Sequence, residues 1–228
     1  MEIRAAGICV DVRKKKIKNM YLTVKPPDGQ VVISAPVSMP DEEIEKFIKE
    51  RAEWILKQRK RFEGQLPEEE RKYISGEPLY VWGKKYVLDC RESGKRNSFM
   101  LCGDMAVLNM RCGSTAEQRE HFIREQYRSM LKEAVEKLLP KWEAITGLYC
   151  DSWQTKYMKT RWGTCNTVKK RIWFNVALAE KPPECLEYVI LHELTHIRIK
   201  NHGPEFKAVM GQYMPEWKEV KKRLNSLP

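Results

Sequence analysis

Apolar and polar positions alternate in short runs through the first half of the chain, and glycine or proline interrupts these runs at short intervals. This pattern is typical of β-strands joined by tight turns. The turn signals include Pro26-Pro27-Asp28-Gly29-Gln30 and the glycines at positions 83 and 103. The strands predicted in this way are residues 8–12, 20–25, 31–35, 79–82, 86–90, 99–102 and 105–110.

One helix interrupts this β-rich part. Apolar positions at helical spacing run from Ile44 to Ile55, and the preceding Ser38-Met39-Pro40-Asp41 resembles a capping box. The predicted helix ends in Lys/Arg-rich residues before Gly64, as the helix dipole favours. A polar, acidic connector over 65–72 follows it.

The second half is mostly helical by the same criterion. Thr115 and Gln118 form a second capping-box signal, and a long apolar stripe follows. Pro140 is expected to kink or restart this helix, which should stop at Gly147.

The rest of the second half is predicted as one hairpin and three helices. The hairpin pairs 155–162 with 171–178, and Pro182-Pro183 then leads into a helix that is apolar on nearly every side. Further helices begin after Gly203-Pro204 and near Pro215. We therefore predict an α+β protein with a boundary near Cys112-Gly113. A β-rich N-terminal region, 1–112, with one amphipathic helix would precede a helical catalytic domain, 113–228, with a β-hairpin.

Composition places the chain among soluble proteins. It is 42% hydrophobic and 32% charged, which is ordinary for that class, and no apolar run reaches the length of a membrane span or a signal peptide. Seven cysteines, an odd number at wide spacing, do not form a disulfide framework. We therefore expect a cytoplasmic protein with no membrane association.

The charge balance indicates an anionic partner or substrate. Formal net charge is +11, concentrated in runs at 13–18 and 218–223. Runs this short are usually solvated surface, and no nucleic-acid motif accompanies them. Weak nucleic-acid association through the basic surface stays an open alternative.

The sequence His192-Glu193-Leu194-Thr195-His196 is an H-E-x-x-H motif, and His202 follows six residues later. Residues four apart lie on one face of a helix, so the imidazoles of His192 and His196 can meet at one metal ion. His202 can fold back as a third ligand. Three protein ligands and one water form a catalytic zinc site, and Glu193 then lies beside the open position as the general base. Histidines satisfied within a core helix, or a structural metal site, are the alternatives.

Several segments together resemble the YgjP-like metallopeptidase family, within the wider zincin group. They are Arg161-Trp162-Gly163-Thr164-Cys165, Phe174-Asn175-Val176-Ala177-Leu178, the stretch from Tyr188 to His196, Asn201-His202 and Phe206, with looser similarity around Ala35-Pro36, Trp54-Ile55 and 76–86. The resemblance implies a zincin-like domain that binds Zn²⁺ through His192, His196 and His202, with Glu193 as base.

The chain departs from related patterns after the helix. Metzincins have glycine where this chain has Ile199, and here Asn201 is the residue best able to reverse the chain in a left-handed conformation. Glu205 is the substitute candidate for the third ligand, although the first turn of a helix also favours a carboxylate.

Further site candidates follow from the hydrolytic mechanism. Arg161, Trp162 and Tyr213 are candidate donors to the oxyanion, with Arg161 preferred because its guanidinium suits an oxyanion or a phosphate. Cys165 and Cys185 flank the motif, and packing is the favoured role for both. The strand over 155–162 would offer an edge to an extended peptide.

Three functions remain open at this point. The leading one is a zinc-dependent peptidase in which zinc-activated water attacks a peptide carbonyl. A nucleoside triphosphate pyrophosphohydrolase of UTP type, described for members of this family, would use the same site. A nucleic-acid-associated protease would combine the site with the basic runs.

Overall fold

The structure is a computed structural model, and it describes residues 1–25, 29–62, 71–92 and 96–226. The chain divides into two compact units, Met1–Arg71 and Lys72–Pro228. Strands and helices are mixed in both, which confirms the predicted α+β class and the β-rich N-terminal part. In the described part, no helix has the length and apolarity that crossing a membrane requires.

The first unit is a four-stranded sheet followed by two helices. Strand order is β1-β2-β4-β3, with β2 and β4 parallel and both edge pairs antiparallel. The predicted pairing of residues 8–12 beside the 20–35 hairpin is confirmed. Residues 26–28 of the predicted turn and 65–70 of the predicted connector lie outside the described residues. The elements are β1 Glu2–Ala5, β2 Ile8–Lys15, β3 Tyr21–Lys25, β4 Gln30–Pro36, α1 Asp41–Glu50 and α2 Ala52–Phe62.

Two expectations about the first helical segment were wrong. Pro40 is the residue before α1, and no side chain caps the helix, so Ser38 forms no capping box. Three acidic residues in the first turn, 41–43, favour the helix start through its dipole instead. The segment is also two helices, because Arg51 leaves helical geometry with φ −112° and ψ 8°.

The second unit begins with another four-stranded sheet, of order β5-β6-β8-β7. Its central pair is parallel and its edge pairs are antiparallel, as in the first unit, although the sequence shows no repeat. Both hairpins predicted in this region are confirmed. The strands are β5 Pro78–Val81, β6 Lys84–Glu92, β7 Ser98–Cys102 and β8 Met105–Met110.

A long helix, α3 Ala116–Thr146, follows this sheet. The capping box of Thr115 and Gln118 and the left-handed Gly147 at its end are both confirmed. The helix continues through Pro140 without a restart.

The sheet β5–β8 is bonded directly to the C-terminal part of the chain. The backbone N–H groups of Trp82 and Gly83 donate to the carbonyls of Ala179 and Glu180, and the Tyr127 hydroxyl donates to the Tyr80 carbonyl. The boundary predicted at Cys112-Gly113 therefore lies inside the second compact unit. A functional division into 1–112 and 113–228 stays a prediction.

The remaining elements form a small sheet and three helices around a common core. The sheet has order β10-β11-β9, with β10 and β11 as an antiparallel hairpin and β9 parallel to β11. Of the strand predicted over 155–162, residues 155–156 belong to β9 and 157–162 form a loop. The hairpin partner of β11 is β10, and a 3₁₀ helix replaces the end of the predicted second strand. The elements are β9 Ser152–Lys156, β10 Gly163–Asn166, β11 Arg171–Asn175, the 3₁₀ helix Val176–Glu180, α4 Pro183–Arg198, α5 Pro204–Tyr213 and α6 Trp217–Leu224.

Helix α4 lies at the centre of this core. Most of its side chains are buried, including Leu186, Ile190 and Leu194, which are inaccessible to solvent. Burial of each such side chain contributes about 1.5–3 kcal/mol to stability. The helix is thus a rigid support for the polar residues that it carries.

Candidate metal centre

Three histidine side chains converge at the C-terminal end of α4. The Nε2 atoms of His192 and His196 are 3.2 Å apart, and that of His202 lies 3.1 Å from each of them. Nitrogens held tetrahedrally at zinc-bond length are about 3.3 Å from one another. Among the described residues, these are the only three or more His, Cys, Asp or Glu side chains whose ligand atoms converge closely enough to hold a metal ion.

The chain leaves the helix between the second and third histidines. Helix α4 ends at Arg198, and Ile199 has φ −120° and ψ 107°. Asn201 has no positive φ, so the expectation of a left-handed residue there was wrong. An extended Ile199 followed by a bend at Asn201 carries His202 back to the helix. Glu205 lies exposed in the first turn of α5, outside the cluster.

Hydrogen bonds at Nδ1, the ring nitrogen that faces away from the other histidines, orient two of the imidazoles. His196 Nδ1 is 3.0 Å from the carbonyl oxygen of Ile199, which can only accept, so Nδ1 carries the proton and Nε2 presents a lone pair. The Tyr188 hydroxyl lies 3.4 Å from His192 Nδ1. Such partners fix the tautomer and the ring orientation of metal-binding histidines.

An aromatic side chain supports all three rings. Phe206 of α5 is buried, and its ring centroid lies 4.9 Å from those of His192 and His196 and 4.7 Å from that of His202. Because the ring is apolar and fixed by packing, it holds the imidazoles without competing for their nitrogens.

The local electrostatics favour neutral imidazoles. Burial, followed by the other two histidines and Lys221, lowers the pKa of His192 to about 3. Burial, His196 and Lys221 also lower the pKa of His202. Neutral imidazole is the form that binds a metal, so the ligand set fits a divalent cation.

Glu193 is a buried carboxyl group beside the triad. It is 4% exposed, and burial raises its pKa to about 8 against the opposing charge of Arg161. Strand β10 passes directly over it at Gly163, where an added Cβ would lie 2.6 Å from Glu193 Oε1. Glycine at 163 is therefore required by the close approach of β10 to α4.

The loop 157–162 is held by one buried amide. Asn175 Nδ2 donates to the carbonyls of Met158 and Arg161, both at 2.7 Å, and its Oδ1 accepts from the backbone of Met158 and Ala177. The backbone N–H of Asn175 also donates to Trp162. Asn175 thus positions the two residues that precede β10.

A cleft of about 500 Å³ opens at the triad. Arg161 and Trp162 both line it, but Trp162 Nε1 already donates to Asn225 Oδ1 at 3.1 Å. Tyr213 is absent from its lining and borders a separate cavity of about 60 Å³. The residues lining the cleft are Arg161, Trp162, Gly163, Thr164, Cys165, Thr167, Tyr188, Val189, His192, Glu193, His196, Lys200, His202, Lys221, Leu224 and Asn225.

The two cysteines near the motif differ in location. Cys165 lines the cleft, where burial and the charge of Glu193 raise its pKa to about 11. Cys185 is fully buried in the core. A thiol with a raised pKa remains protonated near neutral pH and is a poor metal ligand.

Sequence reasoning missed several residues at this site. Lys200 lies between the second and third histidines but was given no role. Lys221 and Asn225 reach the cleft from a C-terminal segment without a recognisable motif, and Lys221 belongs to a run interpreted as solvated surface. Phe206 and Asn175 were noticed only as part of a family resemblance, since their roles depend on tertiary contacts. Gly163 could have been singled out as the glycine of the segment 161–165.

Three histidines placed to hold one metal ion are the ligand set that a metal-dependent hydrolase requires. The model of the YgjP-like metallopeptidase domain matches residues 18–227. The chain belongs to the YgjP-like metallopeptidase family.

Two solved structures share limited similarity with the chain. The metallopeptidase zymogen abylysin of Pyrococcus abyssi is 23% identical with a TM-score of 0.37, covering 40% of this chain and 90% of that one. The zymogen jannalysin of Methanocaldococcus jannaschii is 26% identical with a TM-score of 0.33, covering 41% and 92%. A search of the curated proteins gives no match.

Proposed function

We propose that this protein is a zinc-dependent peptidase in which His192, His196 and His202 hold the ion and Glu193 is the general base. The observation that carries the proposal is the triangle of Nε2 atoms, 3.1–3.2 Å apart, at a cleft that the next side chain, Glu193, also lines. An all-imidazole set of three ligands suits zinc and leaves a coordination position for water or substrate.

Bound zinc would acidify water and polarise the carbonyl under attack. The chain's own residues supply the proton transfer and the orientation. Burial keeps the Glu193 pKa near 8, and the Arg161 charge favours the carboxylate. A carboxyl group tuned close to neutral pH can take a proton from the attacking water and return it to the leaving amine.

Arg161 is the proposed donor to the developing oxyanion. It is exposed at the cleft and close enough for its charge to act on Glu193. The loop that carries it is anchored by Asn175, so the guanidinium starts from a fixed backbone. A preorganised cation stabilises negative charge in the transition state more than in the ground state.

The edge of β10 is suited to an extended peptide. β10 is the outermost strand of its sheet, and residues 163–165 line the cleft. An extended substrate could pair with such an edge through main-chain hydrogen bonds. β10 takes the place of the 155–162 strand in this role.

The test uses a Glu193→Gln variant with Glu205→Gln as the matched control. Glu205 is an exposed carboxylate outside the triad. We expect Glu193→Gln to keep its zinc and lose hydrolysis of an unstructured protein substrate, whereas Glu205→Gln and the unmodified protein cleave it until a chelator is added. Wild-type turnover by Glu193→Gln would refute the role given to Glu193.

A pyrophosphohydrolase acting on nucleoside triphosphates is the second candidate, because three side-chain cations line the cleft. Release of pyrophosphate from UTP, abolished by a chelator and by His202→Ala, would establish it. Absence of pyrophosphate release alongside peptide cleavage would favour the peptidase.

Nucleic-acid association stays a prediction for the basic runs. Part of their charge is neutralised by ion pairs, such as Arg13 with Asp11, Lys14 with Asp41 and Arg223 with Glu184. Binding to single-stranded DNA that falls steeply with salt would support the association, and weak, salt-insensitive binding would remove it.

A further inference from the structure

Three cationic side chains surround the cleft that holds the histidine triad. They come from separate segments: Arg161 precedes β10, Lys200 follows α4, and Lys221 lies on α6. All three are exposed at their positions. We call them the basic rim. Their convergence on one opening is a tertiary feature, since 60 residues separate Arg161 from Lys221 in the sequence.

The rim charges have no salt bridge with an acidic side chain of the described part of the chain. Nearby cations do have partners: Arg223 pairs with Glu184, and the Lys181 ammonium donates to the Ser226 carbonyl at 2.7 Å. The acidic residue that lines the cleft is Glu193, which is buried and assigned to proton transfer. The opening is therefore electropositive even before a divalent cation is bound.

We propose that the basic rim selects peptide substrates that carry a carboxylate close to the bond to be cut. This inference rests on the proposed peptidase function and specifies its substrate class. A carboxylate entering the cleft would meet the charges of Arg161, Lys200 and Lys221 and no acidic side chain on the rim. The carboxylate could belong to an aspartate or glutamate side chain or to the C-terminus of a short peptide.

The same geometry favours a carboxylate over a polyphosphate. Polyphosphate sites are usually built from a glycine-rich loop or a helix N-terminus, whose N–H groups face the phosphates. Here α4 contributes residues 188–196, and α6 contributes Lys221 and Leu224, so neither helix presents its N-terminal turn. The nearby end of α4 is its carbonyl end, which disfavours concentrated negative charge. Isolated cations match single carboxylates.

The solvent exposure of the rim side chains sets the expected size of the preference for acidic peptides. A solvent-exposed ion pair is worth about 0.2–1 kcal/mol, which corresponds to roughly 1.4- to fivefold in affinity. Removal of one rim lysine should therefore reduce the preference for an acidic peptide by roughly 1.4- to fivefold. Added salt should reduce the preference further, because exposed charges are screened.

The test measures binding and cleavage separately. Fluorescent peptides of one length carry Asp, Asn or Lys at one position beside a common central bond, each as free acid and as C-terminal amide. Their affinities are measured on zinc-loaded Glu193→Gln protein, and their kcat/KM values on the wild-type protein. Lys200→Gln and Lys221→Gln are compared with Lys222→Gln, an exposed α6 lysine outside the cleft lining.

We expect the Asp peptide to bind more tightly than the Asn peptide, and both rim variants, but not Lys222→Gln, to reduce this difference. The free-acid and amide arms identify which carboxylate is recognised. Equal binding of Asp, Asn and Lys peptides as free acid and amide would overturn the inference, even if all are cleaved. Preferential binding of acidic peptides without any cleavage would support recognition of carboxylates by the basic rim and would contradict the proposed peptidase function. Displacement of the Asp peptide by micromolar UTP would overturn the choice of carboxylate over phosphate.

Discussion

Gly163 on β10 and Glu193 on α4 lie so close together that position 163 has no room for a side chain larger than the hydrogen atom of glycine. A Cβ at 163 would lie 2.6 Å from Glu193 Oε1 and 2.9 Å from Glu193 Cγ and Val189 Cγ1. The carboxyl group is thus confined between a strand and its own helix. This contact gives a physical reason for a glycine in the segment that precedes the motif helix.

Gly163→Ala should displace Glu193 or the strand. We expect kcat/KM to fall by about tenfold or more, because small displacements of catalytic groups cost up to about 100-fold. Overpacking should also lower the free energy of unfolding by about 1–3 kcal/mol. Zinc content should not change. Kinetics, urea denaturation and elemental analysis of the same preparation check the three outcomes.

Gly211→Ala is the matched control for this substitution. Gly211 lies within α5, and an added Cβ would have its nearest neighbour at 3.9 Å. Alanine in a helix interior should raise stability by about 0.5–1 kcal/mol. If Gly163→Ala retained wild-type kcat/KM, the close approach to Glu193 would be irrelevant to catalysis.

Each triad histidine should be needed for metal binding. We expect His192→Ala, His196→Ala and His202→Ala to weaken zinc binding by more than about 100-fold, since loss of a ligand exceeds the 10- to 100-fold effect of an outer partner. His121, on α3 and exposed, is the matched control. Competition with a chromophoric chelator measures the affinities. Unchanged affinity in His202→Ala would limit the site to two histidines.

Asn175→Ala should loosen the loop that carries Arg161. The amide is 3% exposed and makes four hydrogen bonds to backbone groups. Its removal leaves up to four part-buried backbone groups without this partner, and a group that stays buried and unsatisfied costs about 1–3 kcal/mol. We expect a loss of at least about 2 kcal/mol in urea denaturation, against about 1 kcal/mol for Asn109→Ala, whose amide donates to Ser98.

Thiol reactivity should depend on pH in a defined direction. Burial, with a further contribution from Glu143, raises the pKa of Cys150 to about 12. Because the neutral form is favoured in the folded state, this contribution to stability is complete below the unfolded thiol pKa, about 8.5, and is lost as the pH rises towards 12. Alkylation of native protein at pH 8, followed by mass spectrometry, should modify exposed Cys9 and leave Cys150 intact. Rapid modification of Cys150 under native conditions would contradict the raised pKa.

The sequence predicted the local features of this fold well. The spacing of His192 and His196 and the capping box at Thr115 depend on residues within one or two turns, and both are seen in the structure. The hairpins with glycine at the bend were predicted equally well. These features are governed by backbone geometry and short-range hydrogen bonds.

Tertiary packing decided what the sequence did not predict. Ile199 is extended because its carbonyl accepts from His196 and its side chain joins the core, so no left-handed Asn201 is needed. The loop before β10 is defined by Asn175, 14 residues from Arg161. The strand order that the two four-stranded sheets share could not be predicted either, because two segments can have the same topology without similar sequences.

The short connection between α4 and α5 has a thermodynamic consequence. Two of the donor nitrogens belong to the rigid helix α4, and the third belongs to the five-residue connector 199–203. The hydrogen bond between His196 and Ile199 restrains the start of this connector, and the contact of Phe206 with His202 restrains its end. Because these contacts restrain the connector, we expect metal binding to require little ordering of the chain. Cation uptake should leave the far-ultraviolet spectrum unchanged and slow amide exchange only around that connector.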